Sequence, residues 1–193
     1  ERSLLVIKPD PLGDYFHTNA LQPISAAIAA QFDFAEPGQI LISMRELRMI
    51  AVLDPDSGKI VWAMHGPWIG QHDPDMLLNG NILIFDNKGG IGGAQGDTRV
   101  MEFDPRTQEV VWQFASSAER RLLCPIRSAQ QRLPNSNTLV TCSTSGQIME
   151  VTRAGDIVWE FVNPVVGGEN DQLLPIVAWG TRYQTTDLPF LQQ

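Results

Sequence analysis

Three stretches decide the fold: LDPDSGKIVW (Leu53–Trp62), FDPRTQEVVW (Phe103–Trp112) and VTRAGDIVW (Val151–Trp159). Each sets a strand end against a strand start across a tight turn, because Asp-Pro and Gly interrupt extended chain and reverse it. Each also closes on the same Val-Trp pair, and the tryptophans recur at spacings of 50 and 47 residues. Working outward, every unit carries an earlier hairpin signal, a turn followed by an apolar strand: EPGQILIS from Glu36, LNGNILIF from Leu78 and LPNSNTLV from Leu133. That makes four strands per unit. A period of ~45–50 residues built from four short strands is the pattern of propeller blades. A β-sandwich also spaces its strands regularly, but it has no reason to repeat whole four-strand units.

The chain therefore reads as all-β, a single partial β-propeller of four-stranded antiparallel blades. Blade-like units fall at about 10–66, 67–121 and 122–163, and 164–193 forms a closing tail. With the strand-like Ser3–Ile7 and the tail, the strands suffice for about four blade equivalents. One helical stretch interrupts them, the alanine-rich ISAAIAA (Ile24–Ala30), expected as a short insert on the rim.

Composition narrows the partners. An apolar content of 43% in 193 residues is enough for a real core. Fourteen basic side chains against 22 acidic ones, giving a formal charge of -8, form no basic stripe, which argues against nucleic acid. No apolar run approaches the ~18–20 residues needed to span a bilayer. The chain starts at Glu1 and enters strand-like sequence at once, so an upstream segment is expected. Cys124 and Cys142 suit one disulfide in an oxidising compartment or two buried thiols in the cytosol.

Two of the three histidines occupy matching places. His17 in DYFHTNAL and His72 in GQHDPDMLLNGN each introduce the first strand of a blade, and alignment of Asn81 with Asn137 puts Ser128 at the third such place. First strands line a propeller's central channel, so these side chains are expected to share one axis. Two imidazoles there suit anion binding, metal ligation or proton movement; the plainer alternative is that each caps its own strand. Arg45 follows the second strand of its blade, where Asp86 and Asn87 stand in the next. Arginine grips a tetrahedral oxyanion through several fixed donors, although a salt bridge between blades is the equal alternative. Arg99 follows the glycine-rich GGIGGAQGD (89–97), which reads as a mobile loop because it has neither nucleotide-binding fingerprint. There is no Cys/His metal spacing, and no cofactor or metal is expected.

The segments DYFHTNAL, ILISMRELRMIAVLDPDSGKIVW, GQHDPDMLLNGNILIFDN, RVMEFDPRTQEVVWQF and SAQQRLPNSNTLVTCSTSGQIMEVTRAGDIVWEFVNP are similar, in this order, to successive segments of the bacterial arylsulfate sulfotransferases. The tail RYQTTDLPFL resembles that family's closing segment. The resemblance implies a six-bladed periplasmic or secreted propeller, of which this chain is the C-terminal part. It implies transfer of a sulfuryl group between phenols through a covalent sulfohistidine, with a small aryl sulfate or phenol as ligand. His17, Arg45 and His72 carry over as candidate catalytic groups. Asn19 of the His-x-Asn element, Asp86, Asn87, Arg99, Arg127 and Ser128 are candidate anion-binding groups. The resemblance places the nucleophile near CPIRSAQQRL, where Arg127 and Ser128 stand and no histidine follows His72. Two other readings compete: a propeller that kept its fold as a binding or scaffold module, and a quinone-dependent dehydrogenase, which lacks here an adjacent cysteine pair and an acidic calcium cluster.

Overall fold

A computed structural model describes residues 13–88, 98–117, 122–171, 173 and 176–191. The strand-like Ser3–Ile7 and the glycine-rich 89–97 lie outside the described residues. The repeat resolves into three four-stranded antiparallel sheets. The first holds β1 (Thr18–Pro23), β2 (Ile40–Met44), β3 (Met49–Asp54) and β4 (Lys59–His65). The second holds β5 (His72–Met76), β6 (Ile82–Asp86), β7 (Arg99–Phe103) and β8 (Val110–Ala115), and the third β9 (Ala129–Arg132), β10 (Thr138–Cys142), β11 (Gln147–Val151) and β12 (Ile157–Val162). In each sheet the strands pair in chain order, which is the blade topology that the hairpin signals require. The first strands run side by side, β1 against β5 and β5 against β9.

The Asp-Pro and Gly turns do what their chemistry dictates. Gly58 takes φ +67 and closes its turn onto the Asp54 carbonyl, while in the second unit Gln108 occupies the matching place at φ 63. The last hairpin of each blade shifts register once, between Val52 and Leu53, Glu102 and Phe103, and Glu150 and Val151. Such a bulge sharpens the local twist, and its recurrence in all three blades sets each strand-final tryptophan at the same height. The alanine-rich insert forms a helix, α1 (Ala26–Ala29), capped by the Ser25 hydroxyl, which accepts from the Ile28 N–H. It is not a mere rim decoration, because Ile24, Ala29 and Phe32 pack into the core between the first two blades.

Two cores lie between the blades, and a third, smaller cluster of Ile42, Met44 and Ala51 lies on the first blade. Ile50, Val52, Trp68, Ile82, Ile84 and Phe103 fill the space between blades one and two. Leu83, Phe85, Trp112, Val140, Met149 and Val151 fill that between two and three. Blade two thus buries both faces of its middle strands, and β6 and β10 are buried at every residue. Gly66 is obligatory here, because a Cβ on it would lie 2.0 Å from the Trp68 ring.

Polar latches join the last blades. The Glu102 carboxylate on β7 accepts from the Asn79 and Asn81 amides of its own blade, and it pairs with Arg132 and Arg153 of the next. Both guanidiniums also lie over the Trp112 ring, at 5.1 and 5.2 Å from its centroid. One blade later Glu150 repeats the arrangement with Asn135 and Asn137, but its arginine is Arg182 of the tail, which sits over Trp159. The tail crosses the face of blade three that points away from blade two, since Gly180 lies against Thr141 and Ile148 and the Arg182 N–H donates to Gln131. Although burial opposes it, the Asn81 and Asn79 amides and Arg153 hold the Glu102 carboxyl below its ordinary value.

Replacing Glu102 by Ala strands two guanidiniums at a blade junction. Breaking a buried pair costs ~3–5 kcal/mol, so thermal unfolding followed by circular dichroism is expected to show Tm lowered by about 6–15 °C. Glu150→Ala, with a single arginine partner, is expected to lose less.

Candidate functional site

The starts of the first strands are built under backbone strain. His17, Asp73, Arg127 and Ser128 take φ of 47°, 51°, 55° and 78°, the left-handed region that costs a non-glycine residue energy. One such residue stands at or next to the first position of each first strand. The chain bends there and turns toward its neighbour blade, where specific bonds hold it. The Asn19 amide donates to the Gln71 carbonyl at 2.7 Å, and Gln71 in turn donates to Ser43 Oγ and to the Met44 and Met49 carbonyls. Between β5 and β9, the Gln130 N–H donates to Asp73 Oδ2 at 2.8 Å and its amide to the Asp73 carbonyl and to Asp75 Oδ2.

These contacts gather three of the sequence-derived candidates. The Arg45 N–H donates to the His17 carbonyl at 3.2 Å, so β1 and the end of β2 meet at this point. His72 lies within electrostatic reach of both Arg45 and His17. Burial first, and then the Arg45 charge and the nearby His17, push the His72 imidazole below its ordinary value of 6.5, against its hydrogen bonds to Asn87 Oδ1 and the Gly70 carbonyl, which work the other way. A cleft of about 200 Å³ is lined by Arg45, Glu46, Arg48, Ile69 and Gly70, with neither histidine on its wall. Arg45 pairs with Glu46 at its edge, and the Asp14 carboxylate lies 3.0 Å from His17 Nδ1.

The hydrogen bonds of His72 define its protonation. Nδ1 lies 2.8 Å from Asn87 Oδ1 and 3.1 Å from the Gly70 carbonyl. The Asn87 nitrogen donates to the carbonyls of Cys124, at 2.6 Å, and Arg127, at 3.0 Å, which assigns its oxygen to the histidine side. Both neighbours of Nδ1 are acceptors, so Nδ1 carries the hydrogen and Nε2 keeps its lone pair.

The other candidates lie in tighter company. Asp86 is fully buried; it accepts from the Ile69 and Lys88 N–H groups and pairs with Arg99 at 2.9 Å. The Arg99 guanidinium also donates to the Pro67 carbonyl. Ser128 and Ser143 exchange reciprocal bonds, each N–H donating to the other's hydroxyl. Arg127 offers its carbonyl to Asn87, and its guanidinium has no ion-pair partner among the described residues. Cys124 and Cys142 form a disulfide, which settles between the two thiol readings.

The carboxylates of Asp73 and Asp75 escaped attention in the sequence, although QHDPD places two acids in a strand that has to be buried. Burial pushes both up, and the Asp75 charge adds to the rise of Asp73. A larger cavity of about 550 Å³ opens at the far end of the first strands, between Gln22, Met76, Leu78, Arg132 and Leu133. Asp75 also lines it, whereas no histidine does.

Comparison with known proteins supplies a family and a fold. The sequence model of the arylsulfotransferase (ASST) family matches residues 8–164. A comparison with curated proteins finds no match. Among solved structures, the WD40 β-propeller domain of Doa1 aligns with a TM-score of 0.50 at 13% identity, covering 76% of this chain and 41% of that one. Virginiamycin B lyase from Staphylococcus aureus aligns with a TM-score of 0.50 at 16% identity, covering 81% and 44%. The chain thus spans less than half the length of either propeller, and at such identities the likeness speaks for the fold alone.

The raised carboxyls predict a pH effect of definite sign. A folded-state pKa above the unfolded one contributes stability below the ordinary value of 3.8 that is lost as pH rises toward about 8. Asp73→Asn stays neutral at every pH. Its Tm relative to wild type is therefore expected to rise between pH 5 and 8 by roughly 7–14 °C, measured by calorimetry. The depressed His72 acts in the opposite sense in both proteins and cancels in this difference.

Proposed function

Because the chain belongs to the arylsulfotransferase family, we propose that it moves a sulfuryl group from an aryl sulfate to a phenolic acceptor, with His72 as the nucleophile. The single observation behind this reading is the pair of acceptors at His72 Nδ1, which leaves the lone pair of the neutral ring on Nε2. A nucleophile must be unprotonated at working pH, and the depressed pKa keeps this imidazole neutral. The resemblance pointed to a later blade for this role; His72 has the geometry for it.

In the first half-reaction the Nε2 lone pair forms a bond to sulfur as the sulfur–oxygen bond to the aryl group breaks. The phenolate departs with that electron pair. Charge spreads over the sulfuryl oxygens in such a loose transition state, so catalysis rests on positioning and on donors held in place. Arg45 supplies a guanidinium on one side of the cleft, and His17 a second imidazole that protonates the leaving phenolate. In the second half-reaction the acceptor phenol yields its proton to His17 and its oxygen attacks sulfur. The sulfur–nitrogen bond then breaks and returns its electrons to Nε2. Asn19, whose oxygen is buried without a donor, faces the same junction.

An oxidising compartment, periplasmic or extracellular, is the setting that suits a protein carrying the Cys124–Cys142 bridge. The ligand is a small aryl compound, and binding needs no nucleotide donor.

The test uses the full-length protein with p-nitrophenyl sulfate and a phenol. Wild type is expected to release nitrophenolate and, without acceptor, to gain one sulfuryl group in intact mass at the peptide containing His72. His72→Ala is expected to abolish the adduct and lower turnover roughly 10³-fold or more. Turnover is expected to persist at pH 6.5, the ordinary histidine value, because a lowered pKa leaves more than half of the nucleophile neutral there. Absence of both product and adduct from wild type would overturn the proposal in favour of a binding module.

A further inference from the structure

Asn87 is 3% exposed, and each polar atom of its amide is committed to protein. Its nitrogen binds two main-chain carbonyls and its oxygen binds His72 Nδ1. An amide so placed cannot turn over, because the reverse orientation would set its oxygen against the Cys124 and Arg127 carbonyls. Those carbonyls belong to residues 122–128, the described part of the link that leads into β9, and two devices fasten it. Cys124 is bonded to Cys142 at the end of β10, and its N–H donates to Thr98 Oγ1 at 3.0 Å. At the other end the Ser128–Ser143 exchange ties the link to the same region of blade three.

We infer that Asn87 is a positioning residue: held by the disulfide-anchored link of the third blade, it fixes His72 as the Nδ1–H tautomer and so presents Nε2 to the substrate. The inference deepens the reading of His72 as nucleophile and rests on it for its catalytic meaning. A free imidazole favours the hydrogen on Nε2, which would bury the lone pair against Asn87 and Gly70 and leave a donor where a nucleophile is needed. The arrangement also couples blades: an amide from the end of β6 orients an imidazole on β5 by reading carbonyls that only the correct docking of blade three supplies. The neighbouring Asp86 lies in the same FDN element but serves another purpose, anchoring Arg99 and the Ile69 N–H.

The tautomer can be read without substrate, by nitrogen chemical shifts of the imidazoles in ¹⁵N-histidine-labelled full-length protein, with His72→Gln assigning the signal. Wild type is expected to show a protonated Nδ1 and an unprotonated Nε2 for His72. Asn87→Ala is expected to move the signal toward the Nε2–H form. It should also lower the pH at which His72 titrates, since the Asn87 bond favours the charged ring, and reduce sulfuryl adduct formation roughly hundredfold or more, as for a histidine that loses the partner fixing its tautomer. The paired Cys124→Ala/Cys142→Ala variant is expected to change the same signals in the same direction by less. An Nε2–H signal in wild type would overturn the inference, even if the Asn87 variant failed to fold. So would an Asn87→Ala protein that folds and keeps the wild-type tautomer. A tautomer that shifts as expected, in a protein that never forms the adduct, would instead leave the positioning intact and refute the nucleophile.

Discussion

The docking geometry of blades two and three is set by one buried carboxylate. Glu102, with a side chain 1% exposed, gathers two asparagines from its own blade and two arginines from the next. A charge taken out of water must be matched by several donors or it destabilises the fold, and these donors meet only if the third blade docks at one distance and rotation. Apolar packing in the adjacent core supplies most of the attraction. The ionic latch, being directional, selects one docking geometry. Between blades one and two the equivalent position is Val52, and the junction is closed instead by the stack of Phe34 on Trp62, 4.0 Å between centroids, and by buried Trp68.

Docking matters because no blade holds the candidate site alone. His17 and Arg45 come from the first, His72 and Asn87 from the second, and the carbonyls that orient Asn87 from the link into the third. Strained backbone at the first strands is where these contributions converge. The strain persists because surrounding bonds outnumber it: Gln71 spans from β5 to both middle strands of the first blade, and Gln130 ties Asp73 to β9. A site assembled this way is pre-organised, which suits chemistry that depends on position and fixed donors.

Parts of this were legible before any coordinates. The turn chemistry of DPDSG and the threefold Val-Trp spacing gave blades, and equivalent placement of His17 and His72 pointed to one shared region. Other readings needed spatial partners. Arg99 and Asp86 look like two separate polar groups in sequence, yet they neutralise each other across β6 and β7, where their register sets them opposite. Asp73 and Asp75 drew no reading in the sequence, but the left-handed backbone at Asp73 and the bonds from Gln130 hold them in the gap between first strands, where burial raises both. Arg182, far along an irregular tail, takes the part that Arg132 plays one blade earlier, and nothing local marks it for that role.

Strand, turn and repeat were set by the sequence alone, because they depend on neighbours within a few residues: alternating side chains, a proline or glycine that stops a ladder, a bulge after each turn. The family likewise follows from the order of local segments. Which nitrogen of His72 bears the hydrogen, whether Cys124 meets Cys142, and which carboxylates lose water were decided only by tertiary structure. Each depends on groups that lie 15 to 57 residues apart in the chain, and at such separations the partner is chosen by how sheets pack, a property that no short stretch of sequence contains.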